Sequence, residues 1–333
     1  MKASAIANTN IALIKYWGKR NKELMLPQNS SISVTLGGLF AKTTVDFNEK
    51  YKEDIFILNN QEYKKGSEEY DEYIGVFLNF IRKIAKTNLR VKIVTQNNFP
   101  SAAGLASSAA GFAALATAIN KSLNLGLSRR ELSTLARRGS GSATRSIFGG
   151  FVEWRKGRKE DGSDSFAEQI APPEYWRDFR IIIGITSKKE KRIKSRVGME
   201  QTVQTSPYYK SWLDTINTDL EQIKKGIIER NFSLVGRITE VNCLKMHATM
   251  ITTSPPIIYW NAGTIEVINS ILGWRRKGLD IYFTIDAGPQ VKILSREKDV
   301  PEVKKRLKKI RALKDIIITR PGKGSKIIKK HLF

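Results

Sequence analysis

The sequence predicts a soluble protein of mixed helices and strands, folded as two lobes. At 333 residues the chain is long enough for a large core and for two lobes that share one interface. Hydrophobic residues make up 41% and charged residues 27%, which is typical of a globular protein. Alternating apolar runs typical of strands are interspersed with runs at helical spacing. We place the lobe boundary at Thr186 or Ser187, which divides the chain into residues 1–186 and 187–333.

The first lobe is predicted to contain strands over residues 6–14, 32–36, 42–47, 91–95 and 151–154, with 32–36 and 42–47 as a pair. The polar residues 48–66 suit a peripheral hairpin. Helical spacing over residues 70–84 predicts a helix with an apolar, core-facing stripe made of Tyr70, Tyr73, Ile74, Phe77, Leu78, Ile81 and Ile84. Residues 112–123, rich in Ala and Leu, predict a second helix. Ser128 and Glu131 have capping-box spacing, which predicts the start of a third that runs to about Arg138.

The second lobe begins after a nearly continuous apolar run at residues 180–186, which predicts a strand buried on both faces. Residues 187–200 are basic and hydroxylic. Helices are predicted over residues 206–230, 233–250, 257–274 and 303–313, the third beginning after Pro255 and Pro256. Strands are predicted over residues 281–285, 290–294 and 315–320.

The formal net charge of +25 is concentrated towards the end of the chain. Residues 292–333 hold fifteen Lys or Arg against four Asp or Glu. Three interpretations stay open: a nucleic-acid surface, a field that attracts polyanionic small molecules, and a solvated basic face. The sequence has no zinc-finger, RNP-type or basic-zipper signature, so nucleic-acid binding is the less favoured alternative.

The chain has no run of about 18 apolar residues that would cross a membrane. Residues 1–4 lead directly into strand-like sequence rather than into an apolar signal segment, so we expect a cytoplasmic protein. A single cysteine, Cys243, excludes an intramolecular disulfide and a Cys-rich zinc site. A buried thiol is favoured, and an intermolecular disulfide remains open.

Two segments rich in small residues are candidates for anion binding. Residues 97–111 lie between a predicted strand and a predicted helix, and Pro100, Gly104 and the small side chains would let backbone amides approach a ligand. Ser107 and Ser108 add hydroxyl groups where the helix begins. In residues 139–146 a second Gly/Ser segment contains Arg145, whose guanidinium can bind a carboxylate or phosphate in bidentate fashion. An ordinary tight turn is the alternative for each segment.

The phosphate-binding motifs of several large families are absent from the sequence. It contains no Gly-x4-Gly-Lys-Ser/Thr motif, no dinucleotide-binding glycine motif after the first strand, and no protein-kinase signature. A nucleotide site in this chain must therefore be of another type.

Residues 100–109, Pro-Ser-Ala-Ala-Gly-Leu-Ala-Ser-Ser-Ala, resemble the phosphate loop of the GHMP kinase superfamily. More narrowly, an ordered set of motifs resembles the diphosphomevalonate decarboxylase family. It comprises residues 10–20, 97–108, 137–146, 150–154, 205–207, 246–249 and 286–289, within a match over about residues 3–295. A single small-residue loop would be weak evidence, whereas the ordered set is specific.

The resemblance implies an α+β, GHMP-kinase-like fold of two lobes, with a ribosomal-protein-like N-terminal lobe and a ferredoxin-like C-terminal lobe. ATP and the substrate would bind in the cleft between them. The family uses ATP and Mg²⁺ to phosphorylate the 3-hydroxyl of mevalonate diphosphate, which then loses phosphate and CO₂ to give isopentenyl diphosphate. A monophosphate substrate and phosphorylation without decarboxylation are the alternatives within the superfamily. Relatives are often homodimers.

The resemblance also implies roles for individual residues. Asp286 would orient the 3-hydroxyl and accept its proton, Lys15 would keep Asp286 ionised, and Arg145 would bind the substrate carboxylate. ATP phosphates would be bound by Pro100, Ser101, Ala102, Gly104, Leu105, Ala106, Ser107 and Ser108, of which Ser107 and Ser108 would also help to hold Mg²⁺. The substrate would be bound by Asn10, Tyr16, Lys19, Ser140, Gly141, Ser142, Arg145, Ser195 and Arg196. A structural ion pair for Lys15 or Arg145, and a turn cap for Asp286, are the alternatives.

Two positions depart from the family pattern. Gln290 stands where an Asn usually follows Asp-Ala-Gly-Pro, and residues 7–9 are Ala-Asn-Thr where relatives often have Ala-Pro-Val. Of the two histidines, His247 lies among apolar residues of a predicted helix and is expected to be structural, and His331 is expected to be exposed.

Overall fold

A computed structural model describes residues 1–68, 70–99, 107–189 and 191–333. Its first nine strands are β1 (Lys2–Ile14), β2 (Lys19–Asn21), β3 (Leu26–Pro27), β4 (Ser31–Asn48), β5 (Ile55–Leu58), β6 (Gln61–Tyr63), β7 (Arg90–Asn97), β8 (Phe151–Trp154) and β9 (Ala167–Ala171). A large sheet runs in the order β1-β4-β7-β5-β6, with β8 on the first part of β4 and β9 on β8. Neighbours are antiparallel except β5 and β7, and β2 and β3 form a separate ribbon.

The prediction of two paired strands at residues 32–36 and 42–47 was wrong, because both belong to the single strand β4. Both halves of β4 pair with β1, since Val34 lies opposite Ile11 and Thr44 opposite Ser4. Gly38 has a φ of +84°, which glycine adopts without strain, and the register with β1 shifts nearby. The glycines therefore bend one long strand instead of forming a turn.

The helices of the first lobe are α1 (Val76–Ala85), α2 (Ser107–Ser122), α3 (Arg129–Gly139) and α4 (Ala143–Ser146), and a π-helical turn at Tyr70–Gly75 leads into α1. Side chains of α1, α2 and α3 pack with β1, β4 and β7 in one hydrophobic cluster. The capping box of α3 is confirmed, since Ser128 Oγ accepts from the Glu131 amide and the Glu131 carboxylate accepts from the Ser128 amide. One member of the predicted stripe was misplaced, because Ile84 is exposed; Tyr73 packs against the core as predicted and also lines the cleft between the lobes.

The second lobe contains a four-stranded antiparallel sheet. Its strands are β10 (Phe179–Ile185), β11 (Tyr282–Thr284), β12 (Val291–Arg296) and β13 (Asp315–Thr319), in the order β11-β12-β10-β13. The apolar run of β10 is buried on both faces as predicted, because Ile181 and Ile183 enter one hydrophobic cluster and Ile182 enters another. The final strand, β14 (Lys326–Ile328), returns to pair with β1 in the first sheet.

The helices of the second lobe are α5 (Ser195–Thr205), α6 (Tyr209–Ile228), α7 (Phe232–Ile251), α8 (Ala262–Arg276) and α9 (Val300–Leu307), with a 3₁₀ turn at Glu297–Asp299. Helix α5 was not predicted, because its sequence has little apolar periodicity. Helix α8 begins five residues later than predicted, at a capping box formed by Asn261 and Thr264. No helix in the described ranges is long and apolar enough to span a membrane.

The division into residues 1–186 and 187–333 stays a prediction. Sheet membership favours a slightly earlier boundary, since β10 ends at Ile185 and belongs to the second sheet. The final strand complicates any single boundary, because β14 is part of the first sheet.

One continuous hydrophobic cluster joins the two lobes. It includes Ile11, Ile14 and Trp17 from the first lobe, and Tyr209 and Met246 from the second. Trp17 Nε1 donates to Thr202 Oγ1 over 2.9 Å, and the Tyr209 hydroxyl donates to the Trp17 carbonyl over 2.7 Å. The chain just beyond β1 is therefore held against helices of the second lobe.

Cys243 lies in a separate hydrophobic cluster of the second lobe and is fully buried, which confirms the predicted buried thiol. Its Sγ accepts a hydrogen bond from the Ile285 amide over 3.1 Å. Because the sulfur is enclosed, an intermolecular disulfide through Cys243 is inconsistent with this fold.

We expect the close packing at Gly18 to be essential for stability. Its φ is +109°, and a Cβ there would lie 1.9 Å from the Tyr209 hydroxyl oxygen. Gly18→Ala should therefore cost roughly 2–5 kcal/mol, combining backbone strain with overpacking. The measurement is the urea midpoint of unfolding.

Two alanine variants serve as controls for this prediction. Gly38→Ala adds backbone strain alone, because nothing lies within 4 Å of the added Cβ, and should cost about 1–2 kcal/mol. Gly273→Ala, inside α8 with open space and an ordinary φ, should be neutral or stabilising. Equal midpoints for Gly18→Ala and Gly38→Ala would contradict the packing argument.

Candidate active site

A cleft of about 360 Å³ lies between the lobes. The first lobe contributes the end of β1, the start of α2 and the segment from Gly139 to Arg145. The second lobe contributes residues around the start of α5, Met246, and Asp286 with Ala287. Cationic side chains and hydroxyls predominate among its polar groups, so the cleft has the chemistry of an anion site.

At the floor of the cleft a partly buried ion pair connects the lobes. Lys15, directly after β1, is 1% exposed, and its Nζ lies 2.7 Å from Oδ1 of Asp286, which follows β11. Nζ also donates to the Ala12 carbonyl over 2.9 Å. Burial alone would raise the pKa of Asp286, but the ammonium groups of Lys15 and Lys292 outweigh it and hold the pKa well below the usual range. Asp286 is therefore ionised at neutral pH.

The backbone of Lys15 is fixed by two asparagines. Its N–H donates to Asn242 Oδ1 on α7, and its carbonyl accepts from Asn29 Nδ2, each over 2.8 Å. Asn242 Nδ2 in turn donates to Asp219 Oδ2 over 2.8 Å, and Asp219 pairs with Lys245 over 3.0 Å. A hydrogen-bonded chain from α6 and α7 thus sets the position of Lys15.

Arg145, on the short helix α4, is 2% exposed and lines the cleft. Its Nη1 donates to Ser31 Oγ over 2.6 Å, and its Nε and Nη2 approach Asn10 Oδ1 at 3.4 and 3.3 Å. Burial lowers the pKa of Arg145 to about 10, so the guanidinium stays charged at neutral pH. The Asn10 amide nitrogen donates hydrogen bonds to Ser146 Oγ and to the Ser142 carbonyl. Both ends of the Asn10 side chain therefore help to hold Arg145 in place.

A row of hydroxyls joins the two small-residue segments. Ser140 Oγ lies 3.3 Å from Ser108 Oγ, at the start of α2, and 3.2 Å from Ser142 Oγ. Gly141 must be small, because a Cβ there would lie within 2.9 Å of Trp154 and Tyr16. The buried Tyr16 hydroxyl has no hydrogen-bond partner among the described residues, and the Tyr16 ring lines the cleft. These groups are positioned to donate to an anion.

The opposite wall carries Lys19, Lys191, Ser195 and Arg196. Arg196 spans the cleft mouth, donating to the carbonyls of Glu72 and Gly139 over 2.8 and 2.9 Å and stacking 3.8 Å above the Tyr73 ring. Lys191 Nζ donates to Ser195 Oγ and to the Ala287 carbonyl. Burial, with a smaller effect of Arg196, lowers the pKa of Lys19 to about 8, and burial lowers that of Lys191 to about 8.

Two family descriptions match almost the whole chain. The diphosphomevalonate decarboxylase-like N-terminal domain matches residues 7–167, and the mevalonate 5-diphosphate decarboxylase C-terminal domain matches residues 181–328. The chain belongs to the diphosphomevalonate decarboxylase family.

Individual relatives agree with this assignment. The diphosphomevalonate decarboxylase of Candida albicans is 38% identical over 90% of this chain and 86% of its own length, and the Homo sapiens protein is 37% identical over 89% and 77%. The solved mevalonate diphosphate decarboxylase of Staphylococcus aureus superposes with a TM-score of 0.92 at 39% identity, over 98% of both chains. That of Enterococcus faecalis has a TM-score of 0.91 at 42% identity, over 99% of both.

These likenesses confirm the α+β, GHMP-kinase-type fold of two lobes that the resemblance implied. Every predicted site residue that the structure describes lies at the one cleft. Six predicted ATP-binding residues fall outside the described residues: Pro100, Ser101, Ala102, Gly104, Leu105 and Ala106. The role of each residue stays a prediction.

Several residues at or beside the cleft were missed from the sequence, among them Lys191, Lys194, Tyr73 and Lys292. Lys191 lies in a basic segment where no single lysine stands out, and Tyr73 was assigned to the core stripe of α1. Lys292 had a usable signal: a lysine inside the apolar run of β12 needs a buried partner, and Asp286 lies only six residues earlier.

Two residues near Asp286 serve structural purposes in this family member. Gln290 accepts from the Thr186 amide over 2.6 Å and donates to the Ser187 carbonyl, which ties β12 to the end of β10. His247 is buried against Trp260 with Nε2 3.2 Å from the Ile285 carbonyl, and burial lowers its pKa to about 3. The prediction of a structural histidine is confirmed. His331 is exposed, also as predicted.

The lowered pKa values of Lys19 and Lys191 predict that anion binding weakens with rising pH. Both lysines lose their charge as the pH passes about 8, so the dissociation constant for inorganic diphosphate should rise by about tenfold per lost charge between roughly pH 7 and pH 9. Isothermal titration calorimetry measures this constant.

Lys19→Arg is the matched control for this titration, because arginine stays charged throughout the pH window. Its dissociation constant should rise less steeply than that of the wild type. Identical pH dependence in the two proteins would contradict a contribution from Lys19.

Proposed function

We propose that this chain catalyses the ATP-dependent decarboxylation of mevalonate 5-diphosphate to isopentenyl diphosphate, ADP, phosphate and CO₂, a step of isoprenoid biosynthesis by the mevalonate pathway. The observation that carries the proposal is the Lys15–Asp286 ion pair, which lines a cationic cleft together with Arg145. Family membership supports it, and the named relatives favour the diphosphate over the monophosphate substrate. A solved relative described as MDDEF is in complex with MVAPP, AMPPCP and magnesium.

Asp286 supplies the group that prepares the substrate hydroxyl. Its carboxylate is ionised, and Oδ1 is held by Lys15 while Oδ2 makes no hydrogen bond to the described residues. The exposed part of Asp286 lines the cleft, so the carboxylate can accept a hydrogen bond from the 3-hydroxyl and then its proton as the phosphoryl group is transferred. Lys15, a fixed cation at the same point, stabilises the negative charge that develops on the transferred group.

Arg145 orients the carboxylate that is lost as CO₂. Three of its nitrogens already contact Ser31 and Asn10, which leaves the guanidinium immobile when a ligand arrives. An immobile cation holds the carboxylate in line with the departing phosphate and lowers the entropic cost of alignment. As the C–C bond breaks, its electron pair forms the new C=C bond, the electron pair of the C3–O bond leaves with the phosphate, and the carboxylate is released as CO₂.

The hydroxyls and cations of the walls suit the two phosphate-containing ligands. We assign Tyr16, Lys19, Ser140, Ser142, Ser195 and Arg196 to the diphosphate of the substrate, with Gly141 providing the space. Ser107 and Ser108, in the first turn of α2, are assigned to the ATP phosphates, where the helix dipole adds to binding.

Magnesium fits at the same end of α2. The hydroxyls of Ser107 and Ser108 line the cleft and are oxygen donors of the type that Mg²⁺ takes alongside phosphate oxygens. When bound, Mg²⁺ would neutralise part of the phosphate charge of ATP.

We also infer a cytoplasmic location and a homodimer, which the family resemblance supports.

The reaction is tested with purified protein, Mg-ATP and mevalonate 5-diphosphate labelled at the carboxyl carbon. Released CO₂ and ADP should appear in a one-to-one ratio. A preference for mevalonate 5-phosphate, or ADP without CO₂, would replace the proposed reaction with a monophosphate decarboxylase or a kinase.

Removing the charge of Asp286 should abolish turnover while nucleotide binding persists. We expect Asp286→Asn to lower kcat by about 10²- to 10⁴-fold, because an amide cannot accept the hydroxyl proton. Asp280→Asn is the matched control, since Asp280 precedes β11, pairs with Ser233 and Arg296, and does not line the cleft. Wild-type turnover in Asp286→Asn would remove Asp286 from its assigned role.

The bidentate geometry of the Arg145 guanidinium group should also be needed for catalysis. Arg145→Lys keeps the charge but offers a single donor group, so we expect kcat to fall by about 10²-fold. Arg275→Lys is the control, because Arg275 makes a bidentate pair with Glu240 away from the cleft and should affect stability only. Near-normal kcat in Arg145→Lys would exclude bidentate carboxylate binding.

A further inference from the structure

Lys292 is a buried lysine in the middle of a sheet. It lies in β12 between Val291 and Ile293, its side chain is 0% exposed, and its neighbours across the ladder are Thr284 and Ile183. Burying an ammonium group costs several kcal/mol unless a negative partner offsets the desolvation. A hydrophobic side chain of similar volume would fill the position at equal or better stability, so this lysine calls for a reason beyond packing.

The partner of Lys292 is the carboxylate at the floor of the cleft. Lys292 Nζ lies 3.4 Å from Asp286 Oδ2, while Lys15 Nζ lies 2.7 Å from Oδ1. The two carboxylate oxygens thus face two different ammonium groups, one from each lobe. At 3.4 Å the contact with Lys292 is longer than a good hydrogen bond, and Oδ2 is itself buried, so Lys292 acts on the carboxylate from its buried side.

Lys292 can therefore hold the carboxylate plane by its charge from the buried side, while the exposed part of Asp286 lines the cleft. With Lys15 alone, the carboxylate would be held at one oxygen and could rotate about its Cβ–Cγ bond. The Lys292 ammonium group beside Oδ2 opposes that rotation, because turning Oδ2 away from Lys292 would separate opposite charges in a buried site.

Several other ionisable groups surround Asp286. From every element packed against it these are Lys15 at the end of β1, Arg145 on α4, Lys191 before α5, Cys243 and His247 on α7, and Lys292 on β12. Cys243 and His247 are buried and neutral at pH 7. Of the cations, Lys15 and Lys292 form ion pairs with Asp286 within 4 Å.

We propose that Lys292 is a positioning residue for the reaction, holding the Asp286 carboxylate in the orientation in which it accepts the substrate hydroxyl proton. The inference rests on the proposed function, because it acts only through Asp286. It predicts that Lys292 affects the chemical step and not the binding of either substrate.

The test is a double-mutant cycle between Lys292→Met and Asp286→Asn, assayed by labelled CO₂ release under single-turnover conditions. Lys292→Met alone should lower the rate by about 10- to 100-fold, the usual effect of removing a group that orients a functional one. KM for ATP and for mevalonate 5-diphosphate should stay within about threefold of the wild type. In the Asp286→Asn background, Lys292→Met should cause no further loss, because the group it positions is gone.

The outcomes separate this inference from the proposed function. An inactive Asp286→Asn with a normal Lys292→Met overturns the positioning role and leaves the proposed function intact. Equal losses from Lys292→Met in both backgrounds show a structural effect and also overturn it. Full activity of Asp286→Asn overturns the role of Asp286 and the positioning role with it.

Two further variants keep the test informative if Lys292→Met folds poorly. Lys292→Gln removes the charge but keeps a polar end, and should show the same loss and the same lack of additivity. Leu294→Met lies two residues along the same buried strand, conserves volume, and should retain wild-type turnover. A rate loss in Leu294→Met equal to that in Lys292→Met would assign the effect to packing in β12.

Discussion

The Lys15–Asp286 ion pair sets the geometry that the rest of the structure must maintain. Its two members are 271 residues apart in sequence and come from different lobes. The pair therefore forms only when the two lobes pack in one relative orientation. A buried pair is costly when either partner is displaced, because the other charge is then unpaired in a poorly hydrated site. Several contacts between the lobes maintain this orientation: the shared hydrophobic cluster, the hydrogen bonds of Trp17 and Tyr209, and the hydrogen bond from Lys15 to Asn242.

Positive charges outnumber negative charges in the cleft, which suits its anionic proposed ligands. One carboxylate, Asp286, is surrounded by Lys15, Lys191, Lys292 and Arg145, and further cations line the walls. Without an anion, burial and mutual repulsion oppose these charges, which is why the pKa values of Lys19 and Lys191 fall to about 8. A polyphosphate would relieve that repulsion, so part of the binding free energy comes from cations that the fold has already assembled.

Prediction from the sequence worked best where the signal was local. The strand before residue 97, the helix after Ser107, the capping box at Ser128 and the buried run of β10 depend on neighbours within one element, and all were confirmed. It failed where distant contacts override a local pattern. Residues 32–36 and 42–47 were predicted as two strands, but pairing along all of β1 keeps β4 continuous, and Tyr73, assigned only to the core, also lines the cleft.

The sequence by itself determined the motifs and their order, and through them the family, the fold and the candidate residues Lys15, Arg145 and Asp286. Only the tertiary structure decided how these residues meet: that Asn10 and Ser31 hold Arg145, that Asn242 fixes the backbone of Lys15, and that Lys292 faces the second oxygen of Asp286. The physical reason is range. Periodicity and motif spacing report on interactions within a few residues, whereas an ion pair or hydrogen bond requires two groups to lie within about 4 Å, which only the packing of the two lobes establishes.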